Sequence, residues 1–427
     1  MWVFMANIHE TSSYSIRDIS LAETGRKNIA FSITELPVLT TIKQRFEKEK
    51  PLKGIRVGMA LHITTETAYL VDTLIAGGAS VAICSCNPLS TQDDSSAYLA
   101  KEGVQVFGYK GENKEDYYRF IENVIAFNPQ VTVDDGCDLV KTLHERHPEL
   151  LKGMIGGSEE TTTGVRRLQA MAKAGQLKYP MIAVNDNFTK HLFDNYYGTG
   201  QSAIDGVIRA SNILFAGRIV VVVGYGDCGK GVATRAKGLG AQVIVTEVDD
   251  KRALQAVMDG YRVMPMLDAA KLGEVFITVT GNKNVVSMDA IRLMKNSAIL
   301  ANAGHFDNEI DVHGLEKNAS EIEEMRPLFK RYRIGTKDVY LCGEGRLVNL
   351  ACAEGHPSSV LDMSFAGQAL AVEYLIKNKG KLAPGVIHLP AEIDDNIAKL
   401  KLESMGVKID QLSPEQDAYL NEWQEGT

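Results

Sequence analysis

Long apolar runs are missing from this chain: no stretch of its 427 residues approaches the roughly 18 apolar residues that a membrane helix needs. The opening segment, MWVFMANIHE, has neither the apolar core nor the cleavage site of a secretory signal. Positive charge is also in deficit. With 46 Lys and Arg against 54 Asp and Glu, the net charge of −8 argues against broad binding to nucleic acid or anionic membrane. Cysteine is sparse: Cys84, Cys86, Cys137, Cys228, Cys342 and Cys352 are scattered, and no second pair joins Cys84 and Cys86 to complete a zinc set. Reduced, structural thiols are expected, and no metal. Low-complexity segments and short-period repeats are absent. These absences predict a soluble, cytoplasmic protein.

What is present is apolar residues, at 45%, in a chain too long for one core, so two or three domains are expected. Short β-branched runs alternate with helix-like segments, the pattern of parallel sheets covered by crossover helices. The expected strands are Ile55–Leu61, Ser80–Ser85, Gln105–Gly108, Gln130–Val133 and Met181–Val184 in the first half. In the second they include Ile219–Val223, Gln242–Thr246, Val275–Thr280, Ala298–Ala301 and Val339–Cys342. The fold class is α/β, with two separate, doubly wound open sheets. Past the strand ends of the first half lie His62 and Thr64, Asn87, Asp134 and Asp135, and Asn185. Open sheets bind ligands at that edge, although strand-to-helix loops are commonly polar in any case.

In the second half Ile219–Val223 runs directly into Gly224-Tyr-Gly226-Asp-Cys-Gly229-Lys-Gly231, followed by a helical stretch. Between strand and helix this spacing has a physical purpose. Gly224 permits a tight turn, Gly226 lets a pyrophosphate approach the backbone, and Gly229 lets the helix pack on the sheet. The phosphates then meet the partly positive helix N-terminus. The next strand ends in Glu247, placed to accept hydrogen bonds from a ribose and to repel a 2′-phosphate, so NAD is favoured over NADP. This half reads as a Rossmann domain.

Three further clusters are chemically loaded. Ser158-Glu-Glu160-Thr161-Thr162-Thr163-Gly164 can cap a helix or present donors and acceptors to a sugar or nicotinamide. Lys190 and Asp194, four apart, share a helical face; exposed they matter little, but buried they can hold a hydroxyl and move protons. His305 follows a strand of the second half, and His356 lies between Gly355 and Pro357 in a stiff loop or hinge. Either histidine alone is more often structural than catalytic.

Taken together these motifs closely resemble the S-adenosylhomocysteine hydrolase family. The resemblance runs from about Val38 to the C-terminal region. It is carried by LHITTETA (61–68), SCNPLSTQDD (85–94), DDGCDL (134–139), SEETTTG (158–164) and VNDNFTKHLFDN (184–195), then by GYGDCGKG (224–231), GHFDNEID (304–311) and EGRLVNLACAEGHP (344–357). It implies a substrate domain over residues 1–197 that regains 359–389, and a Rossmann domain over 198–355. A C-terminal tail, 390–427, would help build a homotetramer, with hinges near 196–199 and 354–358. It also implies why a hydrolase needs NAD. Oxidising the 3′-hydroxyl acidifies the C4′ proton, whose removal expels homocysteine; water adds, and the retained NADH reduces the ketone.

By resemblance, Lys190 and Asp194 act around the 3′-hydroxyl, while Asp135 and His62 are the proton-transfer candidates and His305 touches the reacting region. Glu160 holds ribose hydroxyls; Thr64 and Glu66 face the adenine, with Thr67 and His356 also in the substrate set. The cofactor set is Thr161, Thr162, Thr163, Asn195, Gly224, Gly226, Asp227, Cys228, Gly229, Lys230, Gly231, Glu247, Arg252, Ala303, Gly304 and Asn349. The expected partners are S-adenosyl-L-homocysteine, adenosine and L-homocysteine.

The chain departs from the family pattern at three places. Arg252 stands where many relatives have an asparagine; it can pair with Glu247 or Asp249, or accommodate a 2′-phosphate. The chain ends at Thr427, without the lysine and tyrosine that many relatives supply to a neighbour's cofactor, as in the shorter archaeal and thermophilic branch. Some members of that branch act on S-inosylhomocysteine. The carboxylate of Glu66 can accept from the 6-amino group of adenine and would repel the oxo group of hypoxanthine, which favours adenine. Glu354, in a position usually apolar, points less clearly. The rival readings are the inosyl-specific enzyme, a catalytically silent NAD-binding regulator, and an ordinary dehydrogenase with dissociable NADH.

Overall fold

The computed structural model describes residues 8–424 and Gly426, arranged around two separate α/β sheets. The first has nine strands in the order His9–Glu10, Tyr14–Ile16, Gln105–Phe107, Ser80–Cys84, Arg56–Ala60, Val131–Asp134, Gly156–Glu159, Pro180–Ala183, Gly385–Ile387. Only the outermost pair, His9–Glu10 with Tyr14–Ile16, is antiparallel. From Arg56–Ala60 the chain winds outward to one side and then, starting at Val131–Asp134, to the other. Those neighbouring strands therefore flank a switch point, where the loops diverge and leave a crevice at the carboxyl edge.

The second sheet has eight strands, ordered Arg262–Val263, Gln242–Thr246, Ile219–Val223, Val275–Thr278, Ala298–Asn302, Lys337–Cys342, Phe329–Ile334, Glu321–Arg326. The first six are parallel, and the last two close it as an antiparallel meander. Its switch point lies between Ile219–Val223 and Val275–Thr278, where the glycine loop begins. Central strands such as Val220–Val223 are buried on both faces, which is why they read as unbroken apolar runs.

The 20-residue helix Ser358–Lys377 leaves the second sheet's neighbourhood and packs into the core of the first, burying Phe365, Ala369, Val372 and Leu375. Gly385–Ile387 then pairs with Pro180–Ala183. After helix Ala391–Ser404 the tail is exposed: helix Pro414–Asn421 buries no residue, and Ile409, Leu412, Leu420 and Trp423 face outward. Among the described residues no helix is long and apolar enough to cross a membrane.

The expected strands are present, with ends displaced by a residue or two. Gly156–Glu159 is a strand that β-propensity does not reveal. Its glycines are demanded by crowding, since a Cβ on Gly157 would lie 2.2 Å from Thr132 Oγ1 and 2.6 Å from Met181 Sδ. The charged meander at residues 321–334 likewise carries no apolar alternation that would have marked it.

Candidate active site

The carboxyl edges of both sheets face one cavity of about 960 Å³. Every residue expected to meet substrate or cofactor lines it except Gly229, Lys230 and Gly231. Those three act behind it. A Cβ on Gly229 would strike Gly224 O at 2.1 Å, and one on Gly231 would strike Tyr196 O at 1.9 Å, so both permit backbone contact. Lys230 lies 4.0 Å from Asp227.

Lys190 ends the short helix Phe188–Lys190, and Asp194 follows in the π-helical segment His191–Gly198, a local widening that brings several polar side chains to one face. Lys190 Nζ donates to Asn195 Oδ1 at 2.8 Å and lies 3.2 Å from Asp194 Oδ1 and 3.6 Å from Glu160 Oε1. Burial opposes the Lys190 ammonium, but the charges of Asp194, Glu160 and Asp135 outweigh it and raise its pKa above the ordinary value. Burial also opposes ionised Asp194. Lys190 and His356, whose Nδ1 lies 3.1 Å away, outweigh that and hold the carboxyl well below its usual range. Glu160 is pushed up by burial, with Lys190 offsetting part of the effect. The pair is therefore buried and charged, a cation and an anion side by side where a hydroxyl could enter.

Asp135, at the carboxyl end of Val131–Asp134, stands between two imidazoles. His62 Nε2 lies 3.4 Å from its Oδ2, and His305 Nδ1 lies 3.4 Å from its Oδ1. Burial lowers His62 to about 3 and His305 below its ordinary value, so both rings are neutral at pH 7, while burial raises Asp135. His62 Nδ1 is itself held by Ser90 Oγ at 2.7 Å. One ligand atom from each of the three lies within 4.8 Å of the others. Such an arrangement can pass a proton between a carboxyl and either ring.

At one end of the cavity Thr64 caps helix Thr65–Ala76 by accepting from Thr67 N–H. Glu66 in its first turn receives hydrogen bonds on Oε1 from Ser358 Oγ at 2.5 Å and Ser32 Oγ at 3.3 Å. Its Oε2 is the oxygen left for a ligand. At the rim Glu354 pairs with Arg209 at 2.6 Å.

The other end fits a dinucleotide. Gly224 adopts φ +104°, and a Cβ on Gly226 would meet only Arg252 Nη1, at 3.8 Å, so the loop leaves open space before the N-terminus of helix Asp227–Gly238. Glu247 accepts from Tyr225 N–H at 2.7 Å and Val248 N–H at 2.7 Å, which fixes it beside that space. Arg252 forms no ion pair with Glu247 or Asp249; its guanidinium points to the loop. Asn349 Oδ1 is buried with no hydrogen-bond partner; Asp135 Oδ1 and Glu160 Oε1, 3.4 Å from His305 and 3.6 Å from Lys190, likewise accept no hydrogen bond, and all three residues line the cavity. Unpaired buried acceptors of this kind are costly unless a ligand satisfies them.

Sequence reasoning missed the residues that steer this set. Gln368 Nε2 donates to Glu160 Oε2 at 2.5 Å, and Ser364 Oγ donates to Asp194 Oδ2 at 2.8 Å. Both project from helix Ser358–Lys377. Two polar residues four apart inside an apolar helical run were the available signal.

A glycine loop on one sheet, facing a buried cation–carboxylate cluster on the other and a proton-transfer triad that draws His62 and Asp135 from the first sheet and His305 from the second, defines a nicotinamide-dinucleotide-dependent enzyme. Residues 195–355 match the family model described as S-adenosyl-L-homocysteine hydrolase, NAD binding domain, and residues 13–149 match that of S-adenosyl-L-homocysteine hydrolase. Methanocaldococcus jannaschii S-inosyl-L-homocysteine hydrolase is 56% identical over 97% of this chain and 100% of its own length. The adenosylhomocysteinases of Gloeothece citriformis and Saccharolobus solfataricus are each 54% identical, over 98% and 97% of this chain and 98% and 100% of theirs. The chain belongs to the S-adenosyl-L-homocysteine hydrolase family, and its cofactor is NAD.

Proposed function

We propose that this enzyme reversibly hydrolyses S-adenosyl-L-homocysteine to adenosine and L-homocysteine, with NAD retained between turnovers. The observation that carries the reading is the buried Lys190–Asp194–Glu160 cluster, which shares one cavity with Asp135 and its two flanking imidazoles. A bound NAD would supply hydride transfer, its oxidised form taking hydride from the ribose 3′-carbon and the NADH so formed returning it. Lys190 and Asp194 hold the 3′-oxygen, the Lys190 ammonium stabilising the negative charge that develops on it. Glu160, oriented by Gln368, accepts hydrogen bonds from the ribose hydroxyls. Once the neighbouring carbon is a ketone, Asp135 or His62 removes the C4′ proton and the thiolate leaves C5′. A ring that has taken up the C4′ proton, directly or from Asp135, becomes an imidazolium that can hand it to the departing thiolate, and the neutral imidazole so restored can deprotonate the entering water.

The cofactor is assigned to the turn Gly224–Gly226, Asp227, Cys228, Glu247, Arg252, Thr161–Thr163, Asn195, Ala303, Gly304 and Asn349. Thr64, Glu66, Thr67 and His356 are assigned to the base end. The free Oε2 of Glu66 supports the adenosyl compound, because a carboxylate accepts from a 6-amino group. The inosyl compound is the second reading, favoured by the relative of that name at 56% identity. We assign residues 1–197 with 359–389 to a substrate domain and 198–355 to the NAD domain. The tail, 390–427, carries exposed apolar residues suited to joining a cytoplasmic homotetramer.

The test is free-thiol release by NAD-loaded protein given S-adenosylhomocysteine and S-inosylhomocysteine side by side. Release mainly from the first is expected. Release mainly from the second would keep the mechanism and change the substrate. None from either would sink the reading in favour of a silent NAD-binding regulator.

A further inference from the structure

Two acidic doublets end neighbouring strands in matching register: Asp134 pairs with Glu159, and Asp135 and Glu160 follow each. Side chains alternate between faces along a strand, so one member of each doublet reaches the cavity and the other turns away. Asp135 and Glu160 line it. Asp134 and Glu159 lie behind, fully buried, on strands roughly 4.8 Å apart.

Glu159 occupies a junction. Its Oε1 accepts from Gly136 N–H at 2.9 Å, from Thr161 N–H at 3.0 Å and from Thr161 Oγ1 at 2.8 Å. Gly136 follows Asp135 at φ +101°, and a Cβ there would lie 2.2 Å from His305 Nε2, so this turn sets the spacing between Asp135 and His305. Thr161 opens helix Thr162–Lys173, its Oγ1 accepting from Gly164 N–H at 3.1 Å, and so fixes the three threonines before the cofactor loop. Gly164 is bare because a Cβ would meet the Glu159 carboxyl carbon at 2.1 Å.

We propose that Glu159 is a positioning residue that, through one acceptor oxygen, holds the Asp135–Gly136 turn and the Thr161–Thr163 run in a common geometry. Its Oε2 is buried with no hydrogen-bond partner, a place a negative charge could not occupy cheaply. Asp134 differs: both its oxygens accept backbone N–H groups, of Asp135 at 2.9 Å and Val140 at 2.8 Å. Of two adjacent buried acids only one can readily ionise; the three donors to Glu159 all meet Oε1 and leave Oε2 bare, whereas each Asp134 oxygen has a donor across which a charge can spread. Glu159 is therefore the member that keeps its proton. Its pKa is raised well above the ordinary carboxyl range, by burial first and then by Asp134 and Asp135. It acts as a neutral acceptor and touches neither substrate nor cofactor.

This rests on the hydrolase reading, so the experiment begins with a parent enzyme that releases thiol; a parent that does not would fail that reading and leave Glu159 aside. Glu159→Gln keeps the length and the acceptor and lacks the charge. Glu159→Asp keeps the ionisable group and is one methylene short. Turnover is measured per folded, NAD-loaded subunit, with NAD retention after gel filtration and solvent exchange of the C4′ hydrogen read in parallel. We expect Glu159→Gln within about tenfold of the parent. We expect Glu159→Asp to lose about 100-fold in kcat, the scale of an ångström misplacement, with KM little changed. Gly164→Ala, which pushes the carboxyl aside, should reproduce the loss. A Glu159→Asp enzyme as active as Glu159→Gln overturns the proposal. So does a folded Glu159→Gln that is as poor as Asp, or an undiminished Gly164→Ala.

Discussion

Replacing Glu66 by Gln changes one atom at the base end of the cavity, and the surrounding hydroxyls determine what it does. Ser358 and Ser32 both donate to Oε1. In the variant Ser32 can turn to Thr65 Oγ1, 3.1 Å away, but Ser358 still needs the amide oxygen, so that oxygen takes its side and the amide nitrogen faces the ligand. The cavity loses an acceptor and gains a donor at one point. A hydrogen bond to a charged group is worth about 1.5–3 kcal/mol, and 1.4 kcal/mol is a factor of ten. The ratio of kcat/KM for the adenosyl over the inosyl compound should therefore fall by about 10- to 150-fold. Both substrates are supplied together to NAD-loaded enzyme, and nucleoside products are separated as thiol release is followed. A ratio within about threefold of the parent's, in a folded variant, would show that Glu66 does not read the 6-position.

Lys190→Met leaves Asp194 and Glu160 facing each other with no cation between them. Turnover should drop by about 10²–10⁴-fold and stability by about 3 kcal/mol, read by thiol release and by urea unfolding; unchanged turnover would remove Lys190 from the chemistry. Arg252→Asn should weaken NADP binding to cofactor-free protein more than NAD binding, by roughly fivefold for an exposed ion pair, and equal losses would place the guanidinium away from the 2′-position. Stability should rise as pH falls from 8 toward 6.5. Glu112, which burial raises to about 8, and the raised Glu159 and Glu160 bind protons in the folded state that the unfolded chain does not hold there. Each proton taken up adds about 1.4 kcal/mol per pH unit. Below about 6.5 the buried neutral His62 and His305 oppose the trend. A melting temperature that is flat or falling between pH 8 and 6.5 would contradict these burials.

The chemistry was legible where it sits next to a strand end. His62, Asp135 and His305 each follow an apolar run, and the glycine loop follows another, so position in the sheet could be read without coordinates. What the chain hides is direction. Asp134-Asp135 and Glu159-Glu160 are chemically symmetric in the sequence, and only the phase of the pleat turns Asp135 and Glu160 into the cavity. For Glu159 that phase comes from a strand, Gly156–Glu159, whose glycines answer to Thr132 and Met181 on its neighbours rather than to any local preference. The steering residues Ser364 and Gln368 lie some 170 and 208 positions from the carboxylates they orient. Local pattern carries no trace of such a pairing; it arises only when helix Ser358–Lys377 packs into the core of the first sheet. Tertiary contacts also decide which buried acid is charged. Asp194 gains Lys190, His356 and Ser364 and stays ionised, whereas Glu159 meets only backbone and threonine donors on one oxygen and keeps its proton. Residue type therefore names the candidates for acid–base work, and the tertiary contacts decide which of them carry charge.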